Sequence, residues 1–258
     1  GEVLRFLPRT NDAVNEEWMA DRGRFAFDGL KRRRLDRPWV RRDGKLVPAT
    51  WPEAFAAIAA RLAGLPGEAI GAVAGPLVDA ESALALRDLM AALGSDNLEC
   101  RTDGAAIDAS RRDYYLFNTG IAGIEHADAL LIIGCNPRTE APVINARIRK
   151  RAIAGDFPVG FIGPDGLDLT YPHTRLGGGG ASLRALATGT HPFAATLQSA
   201  KRPMLIIGRG ALARDDGAAV LAAAWEIAAK CNMLQADWHG FNMLHQFGGQ
   251  VAPLDLGY

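Results

Sequence analysis

The chain is poor in the residues that would let it carry a redox centre by itself. It has three cysteines in 258 residues, Cys100, Cys135 and Cys231, far apart in the sequence. An iron–sulfur cluster is usually held by four thiolates at short spacings, and structural zinc by close Cys/His pairs. Neither pattern is present. The nearest histidines, His239 and His245, lack the spacing that sets two ligands on one helix face. The cysteines therefore read as buried free thiols in a reducing compartment, and no metal site is expected. Long apolar runs are missing too: "ALLII" and "AAVLAAAW" fall far short of the roughly 18 residues that span a bilayer, so no membrane insertion is expected. With 29 basic and 29 acidic residues, no global field favours nucleic acid or an anionic membrane. The start, "GEVLRFLPR", has neither the apolar core of a signal peptide nor the Arg/Ser-rich helix of a transit peptide. It also lacks an initiator Met, which suggests an excised fragment.

Catalytic signatures are equally scarce. No G-x-S-x-G elbow surrounds Ser110 or Ser182, and no G-x-x-x-x-G-K-[ST] loop exists. Glu16-Glu17 and Asp215-Asp216 are adjacent pairs whose members point apart on a helix, which makes them poor acid–base dyads. Trp18, Trp39, Trp51, Trp225 and Trp238 read as packing anchors. Residues 1–50 carry twelve Lys/Arg against eight Asp/Glu. Their run "KRRR" (Lys31–Arg34) reads as a solvated or partner-facing loop, because aromatic interleaving is sparse.

What the chain does contain is alternating helix and strand. "RPWVRRDGKLVPAT" predicts a hairpin turning at Asp43-Gly44. Thr50 and Glu53 form a capping box with Pro52 in the first turn. Phe55, Ile58, Ala59 and Leu62 then recur at helical spacing and predict one buried face. "AIGAVAG" (69–75) reads as a buried strand, and Asp79 caps a helix carrying Leu86, Leu89, Met90 and Leu93. "ALLIIG" (129–134) and "VGFIG" (159–163) are continuously apolar strands joined by one long helix, a βαβ unit of a parallel sheet covered on both faces. "PMLIIG" (203–208) is a further such strand, followed by a helix from about Asp216 to Lys230. "GGGG" (Gly177–Gly180) reads as a flexible loop.

The candidate site is the turn Gly134-Cys135-Asn136-Pro137-Arg138. A phosphate-cradling turn needs backbone N–H groups at a helix start and glycines that let the anion approach. This turn has one glycine where a dinucleotide fingerprint has three, and Pro137 removes a donor. Gly134, Asn136 and Arg138 remain cleft candidates. Cys135, at a helix start, reads as buried and inert beside its apolar strand.

At this point the residues carry a resemblance. "ADALLIIGCNPRTEAPVINARIRKR" resembles the strand–turn–helix of the molybdopterin oxidoreductase superfamily that contacts the cofactor's guanine dinucleotide. More narrowly, "LPRTNDAVNEEWMADRGRFAFDGLKRRRLDRPWVRRDGKLVPATWPEAF" is similar to the family of large hydrophilic iron–sulfur subunits, the G type, of NADH:quinone oxidoreductase (respiratory complex I). "AGPLVDAESALALRDLM", "NARIRK", "DGAAVLAA" and "QVAPLDLGY" continue the match along the whole chain. The superfamily signature is similar to C-x-K-G-R-F; here "ADRGRF" has Ala20 in place of the thiolate and Arg22 in place of the lysine. Where superfamily members carry "DPR", this chain has "GPDG", with Gly163 in the acidic position and Asp165 in the basic one.

The resemblance implies an α/β fold of parallel Rossmann-like sheets flanked by helices, formate dehydrogenase/DMSO reductase-like, after a short N-terminal β/irregular segment (1–48). It further implies a discontinuous α/β domain of residues 49–112 and 198–258, with a second α/β domain, 113–197, inserted. It implies a scaffold without catalytic residues, cofactor or metal of its own. The iron–sulfur clusters would lie in the full-length subunit, and the partners would be peripheral-arm subunits of the complex, on the cytoplasmic face of a bacterial inner membrane or the matrix side of a mitochondrial one. The rival expectation is a module that still takes a molybdopterin or purine nucleotide near Gly134–Arg138. An independent dehydrogenase lacks its glycine fingerprint.

Overall fold

The computed structural model describes residues 2–258. A short helix α1 (Asp21–Phe25) precedes the antiparallel hairpin β1 (Trp39–Arg42) and β2 (Lys45–Pro48). Asp43 and Gly44 take positive φ of 49° and 78° at its turn, the geometry a two-residue hairpin requires. The "KRRR" run is exposed, as a solvated loop should be, and Lys31 pairs with Glu2 at 3.3 Å.

Helix α2 (Trp51–Leu62) starts on the expected capping box, with Thr50 Oγ1 accepting from the Glu53 amide and the Glu53 carboxylate accepting from the Thr50 amide. Strand β3 (Ala72–Val73) and strand β4 (Leu98–Glu99) form a two-stranded parallel sheet joined through α3 (Ala80–Ala92). Asp79 caps α3 by accepting from the Ser82 amide at 2.7 Å. The predicted buried face of α2 is a correction: no residue of α2 is buried, and Phe55 and Ile58 are 60% and 53% exposed. Trp39 and Val40 of the hairpin border the helix in a groove with Ile58 and Leu62, but do not bury it.

The main sheet has five parallel strands: β5 (Ala129–Ile133), β6 (Val159–Ile162), β7 (Thr174–Gly177), β8 (Pro203–Gly208) and β9 (Phe241–Leu244), in the spatial order β7-β6-β5-β8-β9. Along β5, Leu130 and Ile132 face a core with Ile148, Phe161, Met204 and Ile206, while Leu131 and Ile133 face another with Leu197, Leu205, Ile207 and Ile227. The alternation explains the unbroken apolar run: a strand covered on both sides has no solvent face to be polar. The first core is closed by α5 (Pro142–Ile153), the second by α6 (Gly180–Ala187), α7 (Pro192–Ser199) and α9 (Gly217–Lys230).

The helix expected between β5 and β6 is in two pieces, α4 (Pro137–Glu140) and α5. Pro142 brings no amide and disfavours helical geometry at the preceding residue, and Ala141 sits at φ −146°, ψ 68°. The "GGGG" stretch is no free loop either; it runs from the end of β7 into the first residue of α6. Two remaining pieces, α8 (Arg209–Leu212) and α10 (Val251–Asp255), complete the fold. No helix among the described residues is long and apolar enough to cross a membrane.

A boundary at 197/198 would run through the main sheet, because β5 and β8 pair along their whole length, Ala129↔Pro203 to Ile133↔Ile207. Tyr258 Oη donates to the Ala83 carbonyl at 2.6 Å, Gly249 N–H donates to Pro76 O at 3.1 Å, and Asp103 pairs with Arg209.

Candidate functional site

Strand order reverses between β5 and β8, since the chain winds outward from β5 to β7 on one side and from β8 to β9 on the other. In doubly wound sheets a ligand sits outside the strand C-termini at such a switch point. Gly134 ends β5 there and Gly208 ends β8, but their missing side chains make room for protein. A Cβ on Gly134, whose φ is 60°, would lie 2.5 Å from Ala211 Cβ; one on Gly208 would lie 2.3 Å from Cys135 Cβ and 2.9 Å from Gly134 O. The two turns close on each other.

The turn is held shut by a residue that no sequence motif singles out. Arg209, 1% exposed, donates Nε to Asp103 Oδ2 at 2.6 Å and Nη2 to Asp103 Oδ1 at 2.7 Å. This bidentate pair ties α8 to the loop after β4. Asp103 also accepts from the Ala105 amide, and the Arg209 guanidinium holds its carboxyl below the ordinary aspartate range. His245 lies 3.5 Å from the guanidinium through Nδ1 and 2.6 Å from Tyr115 O through Nε2. Burial pushes its pKa down. A strand followed by "RG" carries no sequence signal of a buried arginine; only the tertiary partner shows it.

A cleft survives on the α6/α9 side, with a cavity volume of about 190 Å³. Its walls are mainly Gly134, Gly163, the glycines 178–180, Ala211 and the Arg214–Asp216 pair. Arg214 Nε lies 2.6 Å from Asp216, and at the rim Arg175 Nε lies 2.8 Å from Asp165. Each cation near the cleft is thus matched by a carboxylate. Helix α6 begins at the wall without a side-chain cap.

Of the three cleft candidates, only Gly134 lines this space. Asn136 Oδ1 accepts from the Arg138 amide at 3.1 Å and caps α4, while the Asn136 amide donates to Glu140 at 2.6 Å. Arg138 reaches over the other side of the sheet, where Nη1 contacts both the carboxylate and the carbonyl of Asp168. Cys135 is buried, and desolvation drives its thiol far up, against what a helix start alone would do. Cys100 and Cys231 are buried and raised as well. No group of three His, Cys, Asp or Glu able to hold a metal exists among the described residues.

One member of each acidic pair lies in an ion pair: Glu16 with Lys150 at 2.6 Å and Asp216 with Arg214. Trp238 is a buried anchor whose Nε1–H donates to Pro203 O at 2.8 Å, and Trp225 packs edge-on against Tyr114 and Phe241. Trp18, Trp39 and Trp51 are a correction, being 58%, 45% and 63% exposed. They belong to the N-terminal segment, the hairpin and α2, where Trp18 borders α5 and Trp39 borders α2 without either being buried.

Sheet order defines a doubly wound α/β protein, a five-stranded parallel sheet flanked by helices. The chain belongs to the molybdopterin oxidoreductase family, whose model matches residues 34–258. Residues 1–28 match the model described as NADH-ubiquinone oxidoreductase NDSU1/NuoG-like, 4Fe-4S domain, and those residues contain no cysteine. The chain is 46% identical over 257 residues to the G subunit of the NADH-quinone oxidoreductase of Rickettsia felis, covering 100% of this chain and 38% of that protein. It is 44% identical over 257 residues to the corresponding protein of Rickettsia prowazekii, covering the same shares. It is also 44% identical to the mitochondrial NADH dehydrogenase [ubiquinone] iron-sulfur protein 1 of Solanum tuberosum, covering 99% of this chain and 35% of that one. The chain therefore spans under two fifths of the curated relatives it matches.

The family's molybdopterin does not fit the residues present. A pocket for a drug-sized ligand measures roughly 300–1,000 Å³, above the 190 Å³ found here. Of the groups that would read its nucleotide, Asn136 and Arg138 are engaged elsewhere, and the cleft's charges cancel.

Proposed function

We propose that residues 1–258 are the non-redox scaffold of a large subunit of an NADH:quinone oxidoreductase, complex I, which moves electrons from NADH to quinone. The fragment derives from a molybdopterin-binding domain and has no catalytic, cofactor-binding or metal-binding residues of its own. The iron–sulfur clusters belong to the remainder of the subunit, and other peripheral-arm subunits are its neighbours on the cytoplasmic or matrix side of the membrane. The observation that supports this reading is the packed switch point: a Cβ on Gly134 would meet Ala211 and one on Gly208 would meet Cys135, so these glycines serve protein packing rather than the approach of an anion.

The test is elemental analysis and nucleotide extraction of the purified complex. Iron without molybdenum, and no guanine nucleotide, is the expected result; one molybdenum or one guanine nucleotide per complex overturns it. One observation favours the second reading, a module that still takes a purine nucleotide: the uncapped start of α6 at the cleft wall. Calorimetric titration with GDP discriminates, since the scaffold reading expects no heat at millimolar ligand.

A further inference from the structure

Helix α2 has the sequence of a buried helix and the surroundings of an exposed one. Its cap is complete, yet Trp51, Phe55 and Ile58 are 63%, 60% and 53% exposed. The rings of Trp51 and Phe55 lie 5.6 Å apart, tilted at 33°, and Ile58 shares a groove with Trp39 of the hairpin. Contiguous apolar surface of this kind is rare on a finished protein surface.

Strand β3 shows the same incompleteness in its backbone. The amides of Ala72 and Ala74 donate to Asn97 O and Glu99 O at 2.9 and 2.8 Å, so both point toward β4. Alternation along a strand turns the N–H and C=O of Val73 the other way, and among the described residues the sheet has no other strand. Val73 is 65% exposed and Leu77, just beyond, 81%. Parallel sheets occur with both faces covered, and sheets of two short strands do not stand alone.

We propose that this surface is an internal docking site of the same polypeptide: a strand-bearing segment outside residues 1–258 pairs in parallel on the free edge of β3, and its layer covers Trp51, Phe55 and Ile58. Two observations select that occupant. The bare edge calls for a strand, and parallel strands are joined by crossovers within one chain. The relatives also carry well over half their length beyond the region matched here. The proposal rests on neither the closed cleft nor the assignment of a reaction.

The experiment is hydroxyl-radical footprinting, read by mass spectrometry, of the whole translation product containing these residues. It is carried out on the polypeptide alone, at low and high concentration, and in the assembled complex. Rates at Trp51, Phe55 and Leu77 are normalised to the same polypeptide in urea. The expected result is about a tenfold protection in the polypeptide alone, independent of concentration, and its loss at Trp51 in Ile58→Asp. Protection that grows with concentration indicates a second copy, and protection only in the complex indicates another subunit. Either result overturns the proposal, as does free reaction in every sample or a translation product with no residues beyond 1–258.

Discussion

Replacing Asp103 by alanine leaves the guanidinium of Arg209 buried at 1% exposure without its counter-charge. Breaking a buried pair by removing one partner costs roughly 3–5 kcal/mol. Asp103 itself keeps 34% of its side chain in solvent, so water can follow into the gap; the low end, about 3 kcal/mol, is expected. Arg209→Met differs in kind. It removes the buried charge, fills a similar volume, and leaves Asp103 free to hydrate, so about 1 kcal/mol or less is expected. The double variant should match Arg209→Met, because without the guanidinium the carboxylate has little left to stabilise.

Urea denaturation of the four proteins measures this, with unchanged slopes as the condition for comparing midpoints. A second readout comes from pH. The folded pKa of Asp103 lies below its unfolded value of 3.8, with the Arg209 hydrogen bonds as the main cause. Its contribution is therefore complete above about pH 4 and lost as pH falls toward the folded pKa. The Asp103→Ala protein should lose less stability over that acid range than the parent. If Asp103→Ala and Arg209→Met cost the same, or the acid slope is unaltered, the buried pair is not what holds α8 in place.

Gly134→Ala should destabilise by about 3 kcal/mol, from a side chain forced at φ 60° and driven into Ala211; Gly134→Ala combined with Ala211→Gly should recover part of the loss, since only the clash is relieved, as denaturation midpoints will show. Cys135 should react with a disulfide reagent at least a hundredfold more slowly in native buffer than in urea, because burial raises its thiol and excludes the reagent. His245, depressed by burial, makes the unfolded state bind more protons below its ordinary value of 6.5. Stability should therefore fall as pH drops below about 6.5, and His245→Gln should flatten that part of the profile in a thermal-melt series.

How far the sequence is readable follows from what each signal depends on. Strands β5, β6 and β8 are legible because both faces are buried, which demands an unbroken apolar run. Strand β9 is equally buried but escapes notice through Asn242. That side chain accepts from the Thr119 amide at 3.0 Å and donates to Leu205 O at 3.2 Å, so a polar residue sits in the core on partners no local pattern reveals. Strand β7 escapes for the opposite reason: at the sheet edge, Thr174 and Arg175 are exposed and only Leu176 is buried. Helix α2 has the periodicity of a packed helix, but periodicity states only that a face is apolar. In the site, Gly134 is recognisable as a strand-ending glycine, whereas the engagement of Asn136 and Arg138 depends on Glu140 and Asp168.

Glycines at a strand–turn–helix are ambiguous in principle, because a missing side chain serves a phosphate and a neighbouring backbone equally well. The ambiguity is resolved here by what occupies the vacated volume. At Gly134 it is Ala211, and at Gly208 it is Cys135 together with the Gly134 carbonyl. The first contact depends on the position of α8, whose first residue is the arginine bound to Asp103. Opening the crevice would require moving α8, and moving α8 would strand a buried guanidinium. One of the interactions that fasten residues 49–112 to the main sheet is therefore also the one that positions α8 against Gly134.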